Sequence, residues 1–312
     1  MVSGKSKANH PLWGKASKDM GNHLWLCHVV AIMVVLVWGV TFINSKKLLM
    51  ADMTPHEIFV IRFLLAYICI WPFSPKKIFS RTWKDELVML VLGITGGSLY
   101  FLAENTAVGI THVNNVALIV CTAPLLTMLI GILFFKSMKA TRWVVGGAIL
   151  ALLGVALVIF NGQVVFHLNP LGDALALTAS LCWAVCSLFL KKVADQYGAV
   201  FITRKIFFYG LLTILPWFFH EPWTTPLSIL MRPGIVVHLL FLGVVASFLC
   251  FLLWSWAIRK IGTITTTNYV YLNPLSTLVA SAIFLHEPMT WMAYIGCALI
   301  LFGLYMSNKQ EE

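Results

Sequence analysis

Apolar stretches of about 20 residues recur along the whole chain, the length a helix needs to cross a hydrocarbon core about 30 Å thick. The pattern predicts ten membrane-spanning helices, centred near Val34, Leu65, Ile94, Leu126, Leu152, Leu181, Leu211, Ser247, Leu275 and Leu299. The first 23 residues read instead as a polar, basic cytoplasmic tail (Lys5, Lys7, Lys15, Lys18), without the apolar core and cleavage site of a secretory signal peptide. Residues 308–312 read as a second short tail.

Within this pattern lies an internal repeat. The segment beginning GITGGSLYFLAENTAVG at Gly93 matches GVVASFLCFLLWSWAIR at Gly243 without a gap, a constant separation of 150 positions. That register sets Phe101 over Phe251, Ala107 over Ala257, Val120 over Val270 and Pro124 over Pro274. Shared leucines are expected between any two apolar stretches, but a matched proline is not, because proline inside a helix is costly. Trp38 and Lys47 match Trp183 and Lys192 at the start of each half, and Gly147 and Gly154 match Gly296 and Gly303 at the end. The expected units are therefore residues 24–160 and 168–307, five helices each. An odd number of crossings turns the second copy upside down, so the expected fold is an all-α integral membrane protein built as two inverted-topology repeats, the arrangement of alternating-access transporters.

Composition supports the membrane reading: 60% of residues are hydrophobic and 11% charged, outside the range of a soluble domain, and mean hydropathy is +0.87. The net charge of +10 is a matter of orientation. With the N-terminus inside, sixteen of the 22 Lys and Arg fall on the inner side, three (Lys46, Lys47, Arg232) outside, and Arg62, Arg204 and Lys205 within spans. Both termini are thus expected in the cytoplasm, in the cell membrane, and no nucleic-acid partner is implied. Arg204 and Lys205 are near enough to the inner surface to snorkel. Trp25, Trp71, Trp83, Trp143, Trp217 and Trp291 mark span ends. All seven cysteines fall inside spans, and Cys182 and Cys186 share a helical face with no His or carboxylate to complete a metal site. No metal or cofactor is expected.

Several segments carry a family resemblance: VWGVTFINSKKLL in the first helix, NPLGDALALTASLCWAVCSLFLKK in the sixth, and NNVALIVCTAPLLTMLIGILFF beside TTTNYVYLNPLSTLVASAIFLHEPMTW in the fourth and ninth. At these residues the chain resembles the drug/metabolite transporter superfamily, specifically its EamA-type members with ten helices in two five-helix repeats. The resemblance implies export of amino acids and other small metabolites; relatives move nucleotide sugars or sugar phosphates. One departure is visible, since Lys136 and Ser137 close the first half where His286 and Glu287 close the second.

The candidate site residues follow from the breaks. Pro124 and Pro274 free the carbonyls of Val120 and Val270, and matched broken helices near mid-membrane point to a transporter's binding site; simple bending of each helix is the competing reading. Asn115 and Thr122, with Asn268, Tyr269, Tyr271 and Asn273, are candidates to line a cavity there, or to hydrogen-bond between helices. The mid-span Trp38, Trp183 and Trp254 are candidates to stack on substrate, or to pack. Glu104 is an acid within a span, at a depth similar to Arg62. Three readings of it stand: a static bridge to Arg62, a carboxylate responsive to protons or substrate, or an interfacial position.

The expected function is secondary transport of small organic metabolites, amino acids or related compounds, by rocking of the two halves around a midplane site. Its expected partners are the lipid bilayer, a small-molecule substrate and, on one reading of Glu104, protons; no oligomeric state is implied. The alternative is an intramembrane enzyme such as an acyltransferase or protease. Against it, the chain has no G-x-S-x-G, and His56-Glu57 lacks the second His of H-E-x-x-H. No P-loop is present to use ATP, and two antiparallel halves do not build the ring of a selectivity filter.

Overall fold

The computed structural model describes residues 24–74, 76–111, 113–135, 141–160, 169–276, 279 and 290–308, and among these every regular element is helical. The first half contains α1 (Leu24–Leu49), α2 (Pro55–Ile70, closed by a 3-10 turn Trp71–Phe73) and α3 (Trp83–Gly93 and Leu99–Ile110, joined by a π segment Ile94–Ser98). It continues with α4 (Val113–Val120 and Ala123–Phe135) and α5 (Arg142–Phe160). The second half contains α6 (Pro170–Ala194), α7 (Ala199–Ile214, closed by a 3-10 turn Leu215–Phe219) and α8 (Pro233–Leu240 and Cys250–Ile261, joined by a π segment Phe241–Leu249). Then come α9 (Thr263–Asn268, continued by a 3-10 turn Tyr269–Leu272) and α10 (Trp291–Asn308).

Eight helices among the described residues are long and apolar enough to cross a membrane, and Tyr294–Ser307 of α10 adds a shorter apolar stretch. The ninth expected span continues past Ser276 into residues outside the described set, as do Lys136, Ser137, His286 and Glu287. Bulky apolar side chains such as Leu133 and Phe134 point outward, as they do when lipid is the solvent.

Local chemistry fixes several helix starts. Thr54 and Glu57 form a reciprocal capping box at α2, and Asn169 caps α6 with Pro170 just inside.

The repeat is visible as a two-fold relation between contacts. A Cβ on Gly147 would sit 2.5 Å from the Gly303 carbonyl oxygen, and one on Gly303 would sit 2.5 Å from that of Gly147. Gly154 and Gly296 exclude each other's Cβ in the same way, at 2.6 and 2.7 Å. Gly147 corresponds to Gly296 and Gly154 to Gly303, so each contact maps onto the other, and α5 and α10 run antiparallel with backbones touching. Only glycine allows this approach. The π segments of α3 and α8 also fall at matched positions, and each packs on the second helix of the other half. Gly93 meets Tyr209 and Gly243 meets Leu65, positions equivalent in the register that sets Pro72 over Pro216. On the axis itself, residues meet their own counterparts: Trp38 and Trp183 at 5.1 Å between ring centroids, Phe63 and Phe207 at 5.1 Å, Phe101 and Phe251 at 6.2 Å.

Both ends are tied down by buried charge. Arg204 and Lys205 do not snorkel: each is 3% exposed, because the α2–α3 connection covers them. Arg204 donates to Ser74 Oγ and to the Lys77 carbonyl, and Lys205 pairs with Glu86, which also accepts from Tyr209. At the opposite end the fully buried Glu57 carboxylate accepts from the backbone N–H groups of Thr224 and Thr225 and from the Thr225 hydroxyl. The loop after each half's second helix is thus anchored to the second helix of the other half.

Gly146→Ala and Gly147→Ala make a paired test, since a Cβ at 146 meets nothing nearer than Met306 at 3.9 Å. Gly146→Ala should leave the melting temperature in detergent unchanged or raise it, whereas Gly147→Ala should lower stability by about 1–3 kcal/mol as α5 and α10 are pushed apart.

Candidate functional site

The axis passes through a small cavity. Its walls come from α1 (Trp38, Thr41, Phe42), α2 (Arg62), α3 (Tyr100, Phe101, Glu104) and the central segments of α4, α6, α8 and α9 (Val120, Trp183, Phe251, Val270 and Asn273). The cavity has about 30 Å³ in which the centre of a water can sit, room for about two waters. An amino acid or sugar is larger than this space and needs its walls to move apart.

Two opposite charges face this space. Arg62 is 2% exposed; its Nε donates to Ser247 Oγ at 3.0 Å and its guanidinium lies 4.1 Å from the centre of the Phe101 ring. Glu104 is 6% exposed and accepts a 2.6 Å hydrogen bond from the Tyr100 hydroxyl, one turn earlier on the same helix. The two do not approach within the 4.0 Å of an ion pair. The static bridge considered for Glu104 is absent, because Ser247, Phe101 and Tyr100 take up the partners instead. Glu104 lines the central cavity.

Of the other residues singled out in the sequence, Trp38, Trp183 and Asn273 line the cavity. Trp254 stands behind Trp38 at 4.9 Å between ring centroids, with its indole N–H buried and unpartnered. Trp38 donates Nε1–H to the Ala246 carbonyl in the π segment of α8 at 2.9 Å. Tyr271 is fully buried and its hydroxyl has no hydrogen-bond partner. Tyr269, Thr122, Asn115 and Asn268 do not line the space. The Tyr269 hydroxyl meets His28 Nδ1 at 2.7 Å, Asn268 donates to Ser307 Oγ, and Thr122 Oγ1 lies 3.0 Å from Ser180 Oγ.

The prolines break their helices as expected, and the freed carbonyls turn inward to protein donors. Ser180 Oγ lies 3.5 Å from the Val120 oxygen, and Cys121 Sγ donates to the Val270 oxygen at 3.7 Å. The break in α4 is therefore tied to the break in α9. Tyr100, Ser247 and Ser180 were not singled out in the sequence; Tyr100 was accessible to it, as a hydroxyl four residues before a buried acid. Among the described residues no group of three or more His, Cys, Asp or Glu gathers into a metal-binding cluster.

Comparison with known proteins gives this geometry a family. The chain matches the EamA-like transporter family over residues 25–160 and again over residues 170–309. It belongs to that family. A probable amino-acid metabolite efflux pump of Salmonella typhimurium is 27% identical, over 89% of this chain and 93% of that protein. The Escherichia coli protein of the same description is 26% identical over the same shares. An uncharacterized transporter of Archaeoglobus fulgidus is 23% identical over 91% of this chain and 98% of that one. A crystal structure at 16% identity superposes with a TM-score of 0.71, covering 90% of this chain and 97% of its own, which shows the shared fold. This transporter is thus a multi-pass membrane protein of the superfamily its sequence resembles.

The Tyr100–Glu104 hydrogen bond is testable by a double-mutant cycle with Tyr100→Phe and Glu104→Gln, read as unfolding free energy in detergent. A charge-assisted bond in a buried site should give a coupling of roughly 1.5–3 kcal/mol; additive single effects would show that the hydroxyl does not hold the carboxylate.

Proposed function

We propose that this transporter moves small zwitterionic metabolites of the amino-acid class out of the cell by alternating access, binding them between Arg62 and Glu104. The observation that carries the reading is the pair of buried, opposite and unbridged charges lining the central cavity. Buried charges are costly in a membrane protein and persist where a partner or cavity needs them. Arg62 retains donors beyond its bond to Ser247, and Glu104 retains acceptor capacity beyond Tyr100. A substrate carboxylate and ammonium would complete both sets while leaving the site neutral. Trp38, Trp183 and Phe251 would then meet the apolar part of the substrate.

The names of the Salmonella and Escherichia relatives support both the substrate class and the direction. In this mechanism the halves rock about the axis. Aromatic rings that meet their own counterparts can slide past one another, while the Lys205–Glu86 and Glu57–Thr225 ties hold the loops at opposite ends. Drive comes from a gradient, and Glu104 is the group placed to carry a proton.

The test is counterflow of labelled amino acids, sugars and sugar phosphates in proteoliposomes, with wild type, Arg62→Gln and Glu104→Gln first checked for intact folding by size-exclusion chromatography. Amino acids alone should exchange, and either substitution should reduce exchange by about tenfold or more. Exchange of sugar phosphates instead, or undiminished amino-acid exchange in folded Arg62→Gln, would overturn the proposal.

A further inference from the structure

A second space, much larger than the central cavity, lies on the other side of α3. This crevice has a volume of about 640 Å³ and is walled by Leu99, Leu102, Ala103 and Ile110 of α3, Leu175 of α6 and Trp217 at the end of α7. Its volume falls in the range of ligand-binding sites. Leu99 and Ile110 are both more than two-fifths exposed, so the crevice opens sideways toward lipid. From Leu99 to Ile110 the helix rises about 16 Å, close to the half-thickness of a hydrocarbon core about 30 Å thick.

Its charged groups sit at one end, beside the threonines Thr106 and Thr178 of its walls. Lys46, in the last turn of α1, and Glu221, just beyond the 3-10 turn closing α7 and beside the start of α2, both line the crevice without pairing with each other. The Lys46 ammonium donates one hydrogen to the Val108 carbonyl at 2.8 Å and keeps two. The Glu221 carboxylate is 55% exposed and lies 3.3 Å from His56 Nδ1. A single-leaflet-deep apolar slot ending in one cation and one anion matches an amphiphile with a chain below and a zwitterionic, hydrogen-bonding headgroup above.

We propose that this crevice binds one phospholipid with a phosphoethanolamine headgroup, an acyl chain lying along the outer half of α3, the phosphate at Lys46 and the ammonium at Glu221. Choline lacks the N–H donors that a carboxylate selects, and a glycerol headgroup lacks the positive charge. The site bears on transport because α3 is its wall. The same helical segment presents Leu102, Ala103 and Thr106 to the crevice and Tyr100, Phe101 and Glu104 to the central cavity. Its base is the π segment, where Gly97 departs from helical geometry at φ −130°, ψ −107°, a place for the upper half to pivot. A bound chain wedges that half against α6 and so sets the position of Glu104.

Gly109 supplies a clean probe, because a Cβ there would meet nothing within 4 Å and it lines the crevice. The full chain purified in mild detergent is delipidated, offered phosphatidylethanolamine, phosphatidylcholine or phosphatidylglycerol, and examined by native mass spectrometry. Wild type should retain one phosphatidylethanolamine in preference to the other two. Gly109→Phe should fold with an unchanged lipid-free melting temperature and retain none. Lys46→Ala and Glu221→Gln should each weaken retention by about fivefold, Glu221→Gln also erasing the preference over choline. Retention indifferent to headgroup, or unchanged in Gly109→Phe, would overturn the proposal, as would displacement of the lipid by the transported metabolite.

Discussion

The bilayer offers no water to a broken helix, so every backbone group released inside it must find a partner within the protein. Pro124 and Pro274 release the Val120 and Val270 carbonyls at the centre of the fold, and the partners come from Ser180 and Cys121. Because Cys121 and Val270 belong to different halves, satisfying the two breaks also joins the repeats. The cavity exists where these breaks meet, and Val120 and Val270 form part of its wall. A transporter needs irregular backbone at mid-membrane to make a site, and here that irregularity is stabilised by the symmetry that duplicated it.

The surrounding packing separates what is rigid from what can move. The α5–α10 pair is locked by backbone contact at four glycines, leaving little slack. The axis is lined instead by aromatic rings at 4.9–6.2 Å; apart from the Trp38 indole, held to the Ala246 carbonyl, the phenylalanine contacts carry no hydrogen-bond geometry and tolerate sliding. Between these regimes lies α3, kinked at its π segment and shared by cavity and crevice. Its Leu99–Ile110 half is the element whose displacement would most directly alter the environment of Glu104.

Much of this organisation was legible in the sequence because it rests on residues with few substitutes. Matched prolines, paired glycines and an ungapped register reported the duplication, and each now marks a break or a backbone contact. The aromatic and charged members of the site, Trp38, Trp183, Arg62 and Glu104, stood out because they are expensive or unusual at mid-membrane. What sequence alone did not give were pairings set by helix rotation. Nothing in the pattern distinguishes a Glu104 that reaches Arg62 from one that reaches Tyr100, nor foretells that Ser247 on α8 holds the guanidinium. Tyr269, Thr122, Asn115 and Asn268 illustrate the same limit, since their depth was apparent but not the face they present. The sequence places Arg204 and Lys205 within reach of a membrane surface, but the loop that buries them folds back only in three dimensions.

The central claim is that two antiparallel halves expose one midplane site alternately to the two sides. Site-directed thiol labelling tests it most directly: Asn273→Cys in a background with the native cysteines replaced, probed with a membrane-impermeant reagent from each side of oriented vesicles. The account predicts labelling from both sides and protection by a transported amino acid. Labelling confined to one side under all conditions, with no protection by any substrate, would contradict it.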